Sequence, residues 1–254
     1  MGWRGNWPHW RACTKYRAAP GQTCLQALSS STAHAPYAVN DSKGCGTIMR
    51  VAPVGLLILP ARVREVAIAT SKITHGNPTA IYSASIWAEL ISAVMLGEKL
   101  EHAVGTKLDD YKKIEDTDEV RRSINAALEL PRDGSLESVR ALGQGWVAEE
   151  CLSIALYSCL YSLELVKSGY SVRDAILNGL FCAARHPGDS DSTAAVAGNM
   201  LGLLFSVEVI HDVLRSFWSI QVGEKLVDKL LEQHMAISDP KMLTKVDRDY
   251  VAPN

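Results

Sequence analysis

The chain has 254 residues, of which 47% are hydrophobic and 21% charged, with 26 basic side chains against 28 acidic ones and a formal net charge of −2. That is apolar material enough for a sizeable core, and the near-neutral balance carries no nucleic-acid footprint. No stretch has the length and apolar continuity of a membrane span. The best, Cys151 to Val166, is interrupted by Glu164 and several serines. Met-Gly-Trp-Arg-Gly-Asn-Trp-Pro at the start lacks the apolar centre of a secretory signal, so a cytoplasmic location is expected.

In chain order, residues 1–20 hold three of the six tryptophans among basic residues and read either as a detached arm or as the remains of a broken element. A single domain is expected over 21–237. Its first marked feature is the glycine-rich run Lys43-Gly44-Cys45-Gly46-Thr47-Ile48-Met49-Arg50-Val51-Ala52-Pro53; Val51 to Leu59 is too interrupted by Pro53 and Pro60 to assign. Thr74-His75-Gly76 stands just ahead of Asn77-Pro78, a loop leading into a helix, where substrate contacts gather; a satisfied surface or core histidine is the alternative reading of His75. Proline then opens a helix over Pro78 to Glu98, with apolar or small residues recurring at Ile81, Ala84, Ser85, Ala88, Ile91 and Met95. The charged interval Gly105 to Arg140 reads as a solvated connection holding one short helix from about Thr117 to Leu130, closed by the turn Pro131-Arg132-Asp133-Gly134. Asp116-Thr117-Asp118 has the letters of a metal turn, but within a mixed-charge run it reads as a solvated helix start. Gly145 to Lys167 and Val172 to Ala184 repeat the three-to-four spacing, Gly169 closing the first and Ser171 capping the second with Asp174 three residues on. The polar tail, 238–254, is expected to be loosely ordered. With no alternating strands bounded by hairpin turns, the class is all-α.

The run from His186 to Phe205 is the most informative. Gly188-Asp189-Ser190-Asp191-Ser192-Thr193 puts carboxylates and hydroxyls at the start of a helix whose next residues, Ala194 to Leu204, are almost all small or apolar. Asp189, Asp191 and Ser192 are candidate ligands for a hard cation such as magnesium, which takes oxygen donors. Capping of the helix start is the alternative reading for any one of them. His186 is either a group that orients a carboxylate or an incidental loop histidine. The six cysteines, at 13, 24, 45, 151, 159 and 182, form no Cys-x-x-Cys pair and read as reduced thiols. Cys45 stands apart inside the glycine run, open to a ligand or oxidant; a thiol without function is the other reading.

Three motifs in order, the glycine-rich Gly44-Cys45-Gly46-Thr47-Ile48-Met49-Arg50, Thr74-His75-Gly76 and Gly188-Asp189-Ser190-Asp191-Ser192-Thr193, resemble the ADP-ribosylglycohydrolase family, the dinitrogenase reductase-activating and ADP-ribosylhydrolase group. Gly145-Trp146-Val147-Ala148-Glu149-Glu150 is also similar to its bacterial members. The resemblance implies a compact multi-helix orthogonal bundle and a magnesium-dependent hydrolase of ADP-ribosylated proteins or small ADP-ribosyl compounds. It assigns Asp189, Asp191 and Ser192 to metal, Lys43, Gly44, Cys45, Gly46, Thr47, Ile48 and Met49 to phosphate and ribose through their backbone amides, and His75 to the substrate edge. The family's N-terminal Thr-Asp-Asp, the other half of its two-magnesium site, has no counterpart here, so the chain is expected to lack the first family helices. Two magnesium ions about 4 Å apart repel by roughly 17 kcal/mol at an effective dielectric near 20. Asp189 and Asp191 bring two negative charges against four positive, so at most one magnesium is expected. Activity impaired by the missing half-site is one expectation; an inactive module binding ADP-ribose or a protein is the other. Self-association through faces left by the missing helices is also expected. No residue qualifies as general base: Asp41 lies beside the glycine run, but its spacing supports no role.

Overall fold

The computed structural model describes residues 21–32 and 35–205, so the arm at 1–20 and the tail at 238–254 lie outside the described residues. The chain divides into units spanning residues 1–204 and 205–254, and all helices described below belong to the first.

Ten α-helices are formed among the described residues: α1 Gln22–Ser30, α2 Ala52–Leu57, α3 Val63–Lys72, α4 Pro78–Met95, α5 Leu100–Tyr111, α6 Asp118–Glu129, α7 Leu136–Ala141, α8 Ala148–Lys167, α9 Val172–Ala184 and α10 Ser190–Leu204. No β-strand accompanies them there, and the class is all-α as the periodicity predicts. Two helices form the centre. α4 packs against α2, α3, α5, α6, α8 and α10, and α8 against α4, α6, α9 and α10. Both are buried on nearly every side through their first three or four turns, which is why their sequences are small and apolar all round rather than striped. The serines of α8 fit that setting because Ser158 and Ser162 return their hydroxyl protons to the carbonyls of Ile154 and Ser158, one turn back, and Ser162 also reaches Ala175 on α9.

Helix ends follow local chemistry. Asn77 caps α4 by accepting from the Thr79 amide, Pro78 occupying the first helical position. Ser171 caps α9 through the Asp174 amide, as its spacing predicts. Several expectations change. The undecided Val51–Leu59 segment contains α2, with Pro53 in its first turn where a missing N–H costs nothing. The 105–140 interval is not a connection with one helix: α5 runs into it, α6 matches the expected helix, and α7 follows. α5 buries only Leu100, Ala103, Val104 and Tyr111, so its charged exposed face dominates the sequence there. Asp116-Thr117-Asp118 is a helix start: Asp116 has φ +59°, Thr117 donates to the carbonyls of Tyr111 and Ile114, and Asp118 pairs with Arg121.

A polar cluster clamps α3, α4 and α5. Arg64 bonds both oxygens of Glu89 at 2.9 and 3.0 Å and lies over the Tyr111 ring, whose hydroxyl donates to Glu89 at 2.7 Å. Lys107 completes the neutralisation of this buried carboxylate at 3.3 Å.

Candidate cation and ligand site

The glycine run is held in place by backbone pairing. Gly44 forms an isolated antiparallel bridge with Val147, the Cys45 amide donates to the Trp146 carbonyl at 3.1 Å, and the Ala148 amide donates to the Lys43 carbonyl at 2.8 Å. The segment is thus pinned to the lead-in of α8. Its glycines let the loop lie close on its neighbours: an added Cβ would stand 3.3 Å from the His75 ring at Gly44, and at Gly46 3.3 Å from the same ring and 3.0 Å from the Cys24 sulfur.

His75 is therefore the support beneath the loop. It is 1% exposed, in keeping with the core-histidine alternative. Arg50 donates to the Thr74 hydroxyl oxygen at 2.6 Å, leaving that hydroxyl to donate to His75 Nδ1 at 2.8 Å, which assigns the ring proton to Nε2. Burial, and secondarily the Arg50 charge, lower the imidazole to a pKa of about 4, so the ring is neutral.

Expected ligand contacts through the run's backbone amides are only partly open. The Gly44 amide is given to Ser42 Oγ, that of Cys45 to Trp146 and that of Met49 to the Cys45 carbonyl. Thr47 and Ile48 are buried, Thr47 donating to the Ala80 carbonyl. Met49, 41% exposed, is the outward side chain of the run, and Trp146, 57% exposed, stands at the same bridge. Trp146 received no role in the sequence reading because exposure of an aromatic is not written in its local pattern.

Lys43 reaches the first turns of α6 and α8, its ammonium within 2.5 Å of both Glu119 and Glu149. Glu119 also accepts from Thr79 at the start of α4. Glu149 is 6% exposed and its second oxygen, Oε2, has no hydrogen-bond partner; burial raises its carboxyl above the usual range against the pull of Lys43.

The acid turn is built with equal care. Asp189 donates its amide to the Gln144 carbonyl at 2.7 Å, and Gly188 sits so close to that carbonyl that an added Cβ would lie 1.9 Å away. Gln144 is itself fixed, because Glu150 accepts from the amides of Gln144 and Gly145 at 3.0 and 3.1 Å. From the other side His186 Nδ1 accepts from the Gly188 amide, so its Nε2 proton points to Thr193 Oγ1 at 2.9 Å. Burial lowers the His186 pKa, in keeping with this neutral ring.

The two motifs meet. Cys45 donates its thiol proton to Asp189 Oδ2 at 3.0 Å, across 144 positions of sequence, and Ser192 donates to Met49 Sδ at 3.2 Å. Asp189 accepts the first intrahelical bond from the Thr193 amide through its carbonyl, but its carboxylate forms no cap bond among the described residues. It is 8% exposed and enters no ion pair there, whereas Asp191 is open to solvent. Burial, followed by the bond to Asp189, pushes the Cys45 thiol up to about 12, so it faces the carboxylate as a neutral donor. The buried Asp189 carboxylate therefore meets the Cys45 thiol, while the Ser192 hydroxyl is turned to Met49. No group of three or more His, Cys, Asp and Glu side chains that could hold a metal ion occurs among the described residues.

The sequence profile of the ADP-ribosylglycohydrolase family matches residues 3–238. The chain is also similar to the ADP-ribosyl-[dinitrogen reductase] glycohydrolase of Rhodospirillum rubrum, 24% identical over 220 residues, which cover 83% of this chain. The match spans 65% of that relative's length.

Proposed function

Because the chain belongs to the ADP-ribosylglycohydrolase family, we propose that it binds the ADP-ribosyl group and hydrolyses the glycosidic bond joining that group to a modified protein or small compound. The observation that carries this reading is the direct contact of the glycine run with the acid turn, Cys45 to Asp189 and Ser192 to Met49, which makes one site of two distant motifs.

Asp189, Asp191 and Ser192 would hold a magnesium ion. When bound, that ion would supply positive field at the ribose hydroxyls and the glycosidic carbon and lower the pKa of a bound water. The protein's own part is orientation. The Gln144 carbonyl, Glu150 and His186 hold the acid turn at a set distance from the loop, so the donors are placed before the cation arrives. His75 carries the loop from beneath, and Met49 and Trp146 offer outward surface on which the ligand's adenine or ribose can rest.

The second reading is an ADP-ribose-binding module without turnover. Calorimetric titration of ADP-ribose with and without magnesium, on the protein and on its Asp189→Ala, Asp191→Ala double variant, tests both. Magnesium-dependent binding lost in the double variant is the expected result. Release of ADP-ribose from ADP-ribosylated arginine then selects the hydrolase, and its absence the module. No binding in any condition overturns both.

A further inference from the structure

The guanidinium of Arg50, half-buried at the end of the glycine run, is a cation without an acid. It donates to the Gly46 carbonyl at 2.6 Å, the Thr70 carbonyl at 3.0 Å and the Thr74 hydroxyl at 2.6 Å, and its nearest sulfur is that of Cys24 at 3.9 Å. No carboxylate pairs with it among the described residues. Elsewhere in the bundle cations are neutralised: Lys43 is shared by Glu119 and Glu149, and Arg64 by Glu89 and Asp110. The Arg50 charge is felt by its surroundings, being the second cause, after burial, of the lowered His75 pKa. We propose that Arg50 is a specificity-determining residue of the ligand site, its charge, relayed through the Gly46–Thr47 peptide, selecting a diphosphate-bearing ligand over the uncharged nucleoside. The proposal rests on the reading of the glycine run as the ADP-ribose loop and deepens it by naming the residue that sets the charge preference.

The relay follows from peptide geometry. The Gly46 carbonyl and the Thr47 amide belong to one planar trans unit and point opposite ways. Arg50 holds the oxygen, so the Thr47 N–H faces away from the guanidinium. A cation on the carbonyl draws electron density through the unit and strengthens the N–H as a donor. The amides of Gly46, Thr47 and Ile48 have no acceptor among the described residues, whereas those of Gly44, Cys45 and Met49 are already bonded. Successive open amides backed by a positive charge favour an anion. The Asp189 carboxylate flanks the same loop through Cys45, so a diphosphate meets like charge there, which Arg50 offsets. An uncharged nucleoside can use the same donors but gains nothing from the field. Half-burial keeps that field from the screening that an exposed arginine suffers.

The test compares ADP-ribose, followed by calorimetry, with adenosine, followed by ligand-observed NMR, both at fixed magnesium. Arg50→Gln keeps donors at the loop and removes the charge; Arg50→Lys keeps the charge and loses the fork. The Gln variant should weaken ADP-ribose at least about tenfold and leave adenosine within about twofold, while the Lys variant should keep most of the preference. Loss of bonds alone would weaken both ligands together, so the ratio separates charge from structure. A second pair leaves Arg50 and its bonds in place. Cys24→Asp sets a carboxylate beside the guanidinium and Cys24→Asn sets a neutral group of the same shape. The Asp variant should reproduce the lost preference and the Asn variant should not, which decides the matter even where Arg50→Gln does not fold. An unchanged ratio in Arg50→Gln, or equal ratios in the two Cys24 variants, overturns the proposal while ADP-ribose binding stands. Failure of the unsubstituted protein to bind ADP-ribose overturns the functional reading and this inference with it.

Discussion

His75 shows how one side chain ties the loop to pH. Its folded pKa of about 4 lies below the ordinary value of 6.5, so between these limits the unfolded chain binds a proton that the folded one refuses. Stability is complete above pH 6.5 and falls as the pH drops from there towards 4, by about 3 kcal/mol at most from this residue. The groups facing the ring are the Thr74 hydroxyl and the Arg50 charge, and Arg50 does not titrate in this range. Urea denaturation across that window should show the decline, and His75→Gln should flatten it; an equal slope in the variant would refute the assignment. Gly188→Ala makes a different point, because its methyl meets a backbone carbonyl that cannot swing aside. The variant should lose at least about 3 kcal/mol in chemical denaturation, or keep its fold with the Asp189 to Gln144 bond broken and magnesium binding lost. Thr-His-Gly drew attention to His75 in the sequence. Which residues cover its ring was not legible there, since the glycines against it come some thirty residues earlier.

Among elements, the best-read helices were those with strong periodicity. α9 has the bounds its spacing predicts, and α4 and α8 differ from expectation by about one turn at an end, where caps decide. α5 was hidden by its charged face, and α2 by prolines that a first turn tolerates. The joint that matters most is Lys43, which binds the glycine run to the starts of α6 and α8. Lys43→Met leaves Glu149 buried beside no counterion and should cost about 3 kcal/mol in denaturant unfolding. Adding Glu149→Gln should recover most of that loss. If the two changes instead simply add, the ion pair is not what links the loop to α8.

At the scale of the whole molecule, the acid turn leads into α10 and meets the glycine run. The Asp189→Ala, Asp191→Ala double variant should unfold within about 1 kcal/mol of the parent, since Asp189 makes no side-chain cap bond that is lost. The same variant should lose the thermal stabilisation that magnesium with ADP-ribose gives the parent, about 2.7 kcal/mol at a hundredfold excess over the dissociation constant. Equal stabilisation of both proteins in a thermal melt would place the ligand elsewhere.

The sequence by itself determined the helical class and the order of the chemical motifs, because helix periodicity, caps and turn residues act over a few positions and are written where they act. Only the tertiary structure decided that Cys45 faces Asp189, that His75 lies under the glycines and that Lys43 joins two helix starts. Those contacts arise when α4 and α8 pack as the centre of the bundle and bring together loops up to 144 positions apart. No local pattern carries that distance: which loops meet depends on how the helices cross, and the crossing is set by the fit of side chains across whole faces.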